Sequence, residues 1–110
     1  MPRPVWRDDN VSAMYAMCIV RYRKPLEDVL KVQEAHRAYQ RRLVDEGILL
    51  AAGPNQPRFG GMFLVRVPDA EAHAALDRIR DNDPYYQSGV AQYELLGWNV
   101  VIGKENLDRL

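Results

Sequence analysis

The sequence lacks a second cysteine. Its single thiol, Cys18, has no intrachain partner, which excludes a disulfide framework and makes a reducing cytoplasm the natural setting. It lacks any apolar run approaching the roughly 18 residues that a membrane-spanning helix needs. The opening Met1-Pro2-Arg3-Pro4-Val5-Trp6 lacks the apolar core of a signal peptide. Charge of one sign is missing too. Lys plus Arg number 15 and Asp plus Glu number 15, so neither nucleic acid nor an anionic membrane is indicated as a partner. With 2 histidines, a multi-histidine metal site within one chain is excluded, and no metal is expected. There is no P-loop, no GxGxxG behind a strand and no CxxC, and no cofactor is expected.

What is present is an ordinary globular composition, 47% hydrophobic and 27% charged, over 110 residues, which fits one domain. Residues 1–13 carry prolines and charges without a period and read as an extension, in which Val5 and Trp6 are expected to dock on a partner subunit. Met14 to Tyr22 is a near-continuous apolar run, expected as a strand covered on both faces. Pro25 to Glu46 reads as one long helix, with Pro25 at its first position, Glu27 and Asp28 in its first turn, and Gly47 at C′. Its apolar arc holds Leu26, Val29, Leu30, Val32, Tyr39, Leu43 and Val44. Ile48 to Ala52 and Met62 to Val67 read as strands. Asp69 is expected to cap a second helix with the stripe Ala72, Ala75, Leu76, Ile79. Val90 to Trp98, extending toward Ile102, reads as the last strand, and 103–110 as a short polar tail.

The order βαββαβ predicts an α+β fold of the ferredoxin-like split βαβ type: a four-stranded antiparallel sheet with two helices on one face. The strands are apolar on both sides, so the uncovered face predicts a homodimer or a higher homo-oligomer.

Two histidines remain to be placed. His73 lies beside its helix stripe and reads as solvated. His36 falls inside the apolar arc, where its ring nitrogens need partners. A bond to a backbone carbonyl is the ordinary solution. The other is Asp83. Proline pushes the preceding residue out of the helical region, so Asp83-Pro84 ends the second helix on stiff backbone. A solvated helix stop is the plain reading of that dipeptide. In the split βαβ fold, though, the loop after the second helix can approach the first. A carboxylate on one ring nitrogen would fix the tautomer and leave the other nitrogen for general acid–base chemistry. Ser12 and Ser88 lie in no nucleophile elbow, which disfavours acyl transfer and favours proton transfer.

With these residues assembled, the chain resembles the YciI-like (YCII-related) family. The matching pieces are Glu34-Ala35-His36, the stretch Gly47 to Asn55, Phe59-Gly60-Gly61, and Asp81-Asn82-Asp83-Pro84-Tyr85 followed by Gly89. They occur in family order over residues 14–102. The resemblance implies a ferredoxin-like fold of the dimeric α+β barrel type. It also implies that His36 and Asp83 are a catalytic pair lining a small pocket, and it does not supply a reaction. The chain departs from the family by its extension and by Tyr85-Tyr86, where one aromatic is usual. Candidate ligand-binding residues are Tyr39, Tyr85, Arg21, Gly53, Pro54 and Gly61, the glycines because their backbone allows close approach.

Three functions fit. The first is a small-molecule enzyme using His36 and Asp83 for isomerisation, elimination or lactone opening. The second is a module that binds a small metabolite without turning it over, the pair being structural. The third is a structural dimer.

Overall fold

The computed structural model describes residues 12–110; the extension with Val5 and Trp6 lies outside the described residues. The elements are β1 (Ala13–Tyr22), α1 (Leu26–Leu30), α2 (Gln33–Asp45), β2 (Leu49–Pro54), β3 (Gly60–Pro68), α3 (Ala72–Asp81), α4 (Pro84–Gln87), β4 (Ala91–Trp98) and α5 (Lys104–Asp108). The strands form one antiparallel sheet in the order β2-β3-β1-β4, the expected ferredoxin-like α+β arrangement. Among the described residues no helix is long and apolar enough to cross a membrane.

Alternation along β1 sorts the two faces. Ala16, Cys18 and Val20 point to the helices and meet Phe63, Val65 and Val67 of β3, Val29 of α1, and Tyr39 and Leu43 of α2 in one buried core. The stripe Ala72, Ala75, Leu76 and Ile79 of α3 is buried against the same core, as its spacing predicts. His73 is exposed. Gly47 has a φ of 76°, which closes α2 as a C′ residue should.

The long first helix is in fact two. A turn at Lys31 and Val32 separates α1 from α2. The N–H of Val32 donates to Val29 and that of His36 to Val32, so backbone bonds bracket the break on both sides. Leu26 and Leu30 then fall off the buried stripe, and Val44 lies beside it; all three are exposed. Asp69 makes no side-chain cap bond. It opens a short 3-10 turn, and its N–H donates to the carbonyl of Ser12.

The opposite sheet face carries Tyr15, Met17 and Ile19 of β1, with Leu64 and Arg66 of β3 and Leu96 of β4 at the paired positions. The tail, expected only to be short and polar, covers one end of this face. Arg66 is buried there, donating to the main-chain oxygens of Leu107 at 2.9 Å and Leu110 at 2.6 Å. The Tyr15 hydroxyl donates to Asp108 at 2.5 Å. The rest of the face stays open: Met62, Leu96 and Trp98 are 43–46% exposed.

Candidate active site

Asp83 ends one helix and starts another. The α3 C-cap is Asn82, and Asp83 then turns extended (φ −79°, ψ 124°), as a residue before proline should. Its carboxylate accepts from the N–H of Tyr85 at 2.9 Å, and Pro84 sits at N1, so Asp83 is the N-cap of α4. The plain helix stop expected from Asp-Pro is therefore also a helix start.

That turn carries the carboxylate under α2. Asp83 is fully buried, and its Oδ1 accepts from His36 Nδ1 at 2.7 Å. Its Oδ2 accepts from the Tyr93 hydroxyl. The carboxylate thus meets three donors from α2, α4 and β4. This many charge-assisted bonds is what a buried carboxylate needs to stay where it is. Asp83 fixes Nδ1 as the protonated nitrogen. Nε2 has no hydrogen-bond partner among the described residues, and the ring lines a cavity. The Tyr85 ring stacks on the imidazole at 3.8 Å and 6°, and Tyr22 meets Tyr85 edge-on.

The cavity holds about 220 Å³. Of the candidate ligand-binding residues, Gly53, Pro54, Gly61 and Tyr85 line it with His36. Tyr39 and Arg21 do not. Tyr39 points between α2 and α3, where its hydroxyl donates to the Ile79 carbonyl at 2.8 Å. Arg21 is at an odd position of β1, on the far face of the sheet, 3.6 Å from Glu94. Close strand approach requires glycine at Gly61 and at its neighbour Gly60: a Cβ on Gly60 would lie 1.8 Å from the Val20 carbonyl oxygen and one on Gly61 2.9 Å from that of Gly53. Gly53 is under no such constraint, with nothing within 4 Å of an added Cβ.

Sequence reasoning misses Gln33, Arg37 and Gln40, which line the cavity with His36. Their signal was available: with His36 they stand at i, i+3, i+4 and i+7, a polar stripe beside the apolar one. Arg58 and Tyr22 also line the cavity, and Tyr93 holds Asp83. Tyr22 and Tyr93 become neighbours of the site through sheet pairing, which sets Tyr93 opposite Val20, and Arg58 through the loop between β2 and β3.

Burial raises the acidic groups around the carboxylate. Burial, then the Asp83 charge, pushes the Cys18 thiol up to about 12 and the Tyr39 phenol up to about 12. Tyr93 is raised for the same two reasons. These folded-state values exceed the unfolded ones, so the native state keeps protons that the unfolded chain releases. Their contribution to stability should therefore be present below about pH 9 and be lost as pH rises toward 12, each group steepening the fall by up to about 1.4 kcal/mol per pH unit. Urea unfolding at rising pH should show a shallower alkaline loss for Cys18→Ala than for the wild type. Equal slopes would remove Cys18 from the effect.

The four-stranded antiparallel sheet with its helices places the chain among ferredoxin-like α+β proteins. The family model of the YCII-related domain matches residues 14–99, and the chain belongs to that family. Among solved structures it is similar to 5-chloro-2-hydroxyhydroquinone dehydrochlorinase (TftG) from Burkholderia phenoliruptrix AC1100, in complex with 2,5-dihydroxybenzoquinone. The TM-score is 0.62 at 19% identity, covering 78% of this chain and 95% of that one, a likeness of fold. No curated protein sequence matches significantly.

Proposed function

We propose that this chain is a small-molecule enzyme in which His36 transfers a proton and Asp83 positions it, in an isomerisation, an elimination or a lactone opening. One observation carries the reading. The imidazole is fixed through Nδ1 by a fully buried carboxylate, while its other nitrogen, without a protein partner among the described residues, belongs to a ring that lines a cavity. That is the geometry general acid–base catalysis needs: an oriented ring with one nitrogen free to exchange a proton with a ligand. The fold's occurrence in a dehydrochlorinase supports the elimination branch. A reducing cytoplasm suits the single buried thiol.

A screen of lactones, enol acids and halogenated hydroquinones tests this directly. His36→Ala should lower turnover by about 10²-fold or more. Equal turnover by the variant would remove His36 from the mechanism.

A second reading has its own observation. Asp83 also caps α4 and binds Tyr93, and these bonds would hold if His36 did no chemistry. A non-catalytic metabolite-binding module would be built the same way. It predicts ligand binding without conversion in the same screen.

The open sheet face is proposed as the contact of a homodimer. Met62, Leu96 and Trp98 form an exposed apolar patch of the kind that a second copy covers. Sedimentation at micromolar concentration should show a dimer, shifted toward monomer by Leu96→Asp. A wild-type monomer would contradict the proposal.

A further inference from the structure

We infer that the His36 cavity takes a small organic anion, a ring-sized molecule whose ionised oxygen is held by Arg58 and Arg37. The inference rests on reading the cavity as a ligand site, and it does not depend on turnover.

Charge comes first. Arg58, in the loop between β2 and β3, and Arg37, next to His36 on α2, both line the cavity. No Asp or Glu does. Asp83 lies behind the imidazole and is engaged by three donors. Neither arginine makes an ion pair among the described residues. Arg21, Arg78 and Arg80, outside the cavity, each face a carboxylate. A chain of zero formal net charge therefore lines one concave site with two arginines and no carboxylate, the Asp83 charge standing behind the imidazole. A cleft lined by one sign of charge draws the opposite sign into it.

Orientation comes next. The Arg58 guanidinium is held by neutral oxygens: Nε donates to the Tyr22 hydroxyl at 3.0 Å and Nη2 to Gln33 Oε1 at 2.7 Å. These bonds fix the plane without cancelling the charge. The remaining donors suit the forked recognition of a carboxylate or an enolate. The field of both arginines reaches the ring stacked on His36. The Tyr85 phenol is raised chiefly by burial and also by Tyr22 and Asp83, while Arg58 and Arg37 both act to lower it.

Size closes the choice. A cavity of about 220 Å³ exceeds the ~150 Å³ that accepts benzene by roughly the room needed for one or two substituents. The same charges would serve the chemistry. Were His36 Nε2 to take a proton from a carbon next to a carbonyl, the C–H electron pair would become the new C=C bond, the C=O π pair would move to the oxygen, and a guanidinium would stabilise the resulting enolate.

The test compares benzoate with benzamide, its neutral analogue, read through the ring signals of His36 by NMR. Titrations use the wild type, Arg58→Gln, Arg37→Gln and the double variant. Benzoate should bind at millimolar concentration or below, and about tenfold tighter than benzamide. Added salt should weaken benzoate alone. The preference should fall in each single variant and vanish in the double one. Equal binding of benzamide, a preference that survives in the double variant, or no response to either compound would overturn the inference. Because binding is read without turnover, an anion preference beside an unimpaired His36→Ala enzyme would sink only the catalytic reading. A catalytic His36 with no anion preference would sink only this one.

Discussion

Asp83→Ala should cost at least about 3 kcal/mol of stability, while Asp83→Asn should cost about 1 kcal/mol or less and still cripple turnover. The contrast follows from the three donors that converge on one carboxylate. Alanine leaves the Tyr85 N–H, the Tyr93 hydroxyl and His36 Nδ1 without their acceptor in a site closed to water. Each stranded donor costs about 1–3 kcal/mol. It also removes the N-cap of α4, a further ~1 kcal/mol. Asparagine can keep every bond. Its oxygen takes the places of Oδ1 against Tyr85 and His36, and its amide donates to the Tyr93 hydroxyl, which turns from donor to acceptor. What asparagine removes is the negative charge. An imidazolium formed in the reaction would then face a neutral amide, and turnover should fall by about 10²-fold or more. Denaturant unfolding and turnover, measured on both variants, separate the two roles. If Asp83→Asn keeps wild-type turnover, the charge plays no part in the chemistry. If Asp83→Ala is as stable as the wild type, the carboxylate is not the hub of the three elements.

Gly60→Ala should be severely damaging, with an expected loss of about 3–5 kcal/mol. The added carbon would stand 1.8 Å from the Val20 carbonyl oxygen and 2.9 Å from its carbon. Both obstacles are backbone, so no rotamer change relieves them. β1 and β3 must part where Arg21 pairs with Gly60 and the Tyr22 N–H reaches Phe59. Val20, Tyr22 and Gly60 all line the cavity, so ligand binding should fall with stability. Gly53→Ala is the internal control: nothing lies within 4 Å of its added carbon, and the strand should accept it with a change under about 0.5 kcal/mol. Gly61→Ala, at 2.9 Å from the Gly53 oxygen, should fall between them. A Gly60→Ala protein as stable as Gly53→Ala would mean that β1 and β3 do not approach as described.

Much of this arrangement can be read from the sequence because it rests on local periods. The α3 stripe at i, i+3, i+4 and i+7 needs only one helix face, and it is buried as spaced. The order βαββαβ follows from where apolar runs, prolines and glycines alternate. The pairing of His36 with Asp83 combines two local signals, a histidine on a buried face and a carboxylate stiffened by proline, with the topology that brings them together.

What is not legible depends on contacts between distant segments. The break at Lys31 and Val32 carries no proline or glycine to announce it, and an unbroken period overestimates the buried face by Leu26 and Leu30. Tyr39 fits the helical arc as well as His36 does, but only the position of Ile79 shows that its hydroxyl is already satisfied elsewhere. Arg21 looks available in sequence, and the parity of β1 sends it to the far face. Tyr93 and Arg58 reach the site by strand register and by a loop path, neither of which leaves a mark in a window of ten residues. The docked tail is a long-range matter too. Arg66 in the middle of an apolar strand is the sign that something covers it, and that something is the end of the chain.

The most direct measurement is the protonation of the two His36 ring nitrogens, resolved by ¹⁵N NMR in the free protein across pH. Nδ1 should be the nitrogen that carries its proton toward Asp83, and the Nε2 signal should move when a ligand enters the cavity. A ring with Nδ1 bare and Nε2 permanently protonated would contradict the His36–Asp83 pair as an acid–base device.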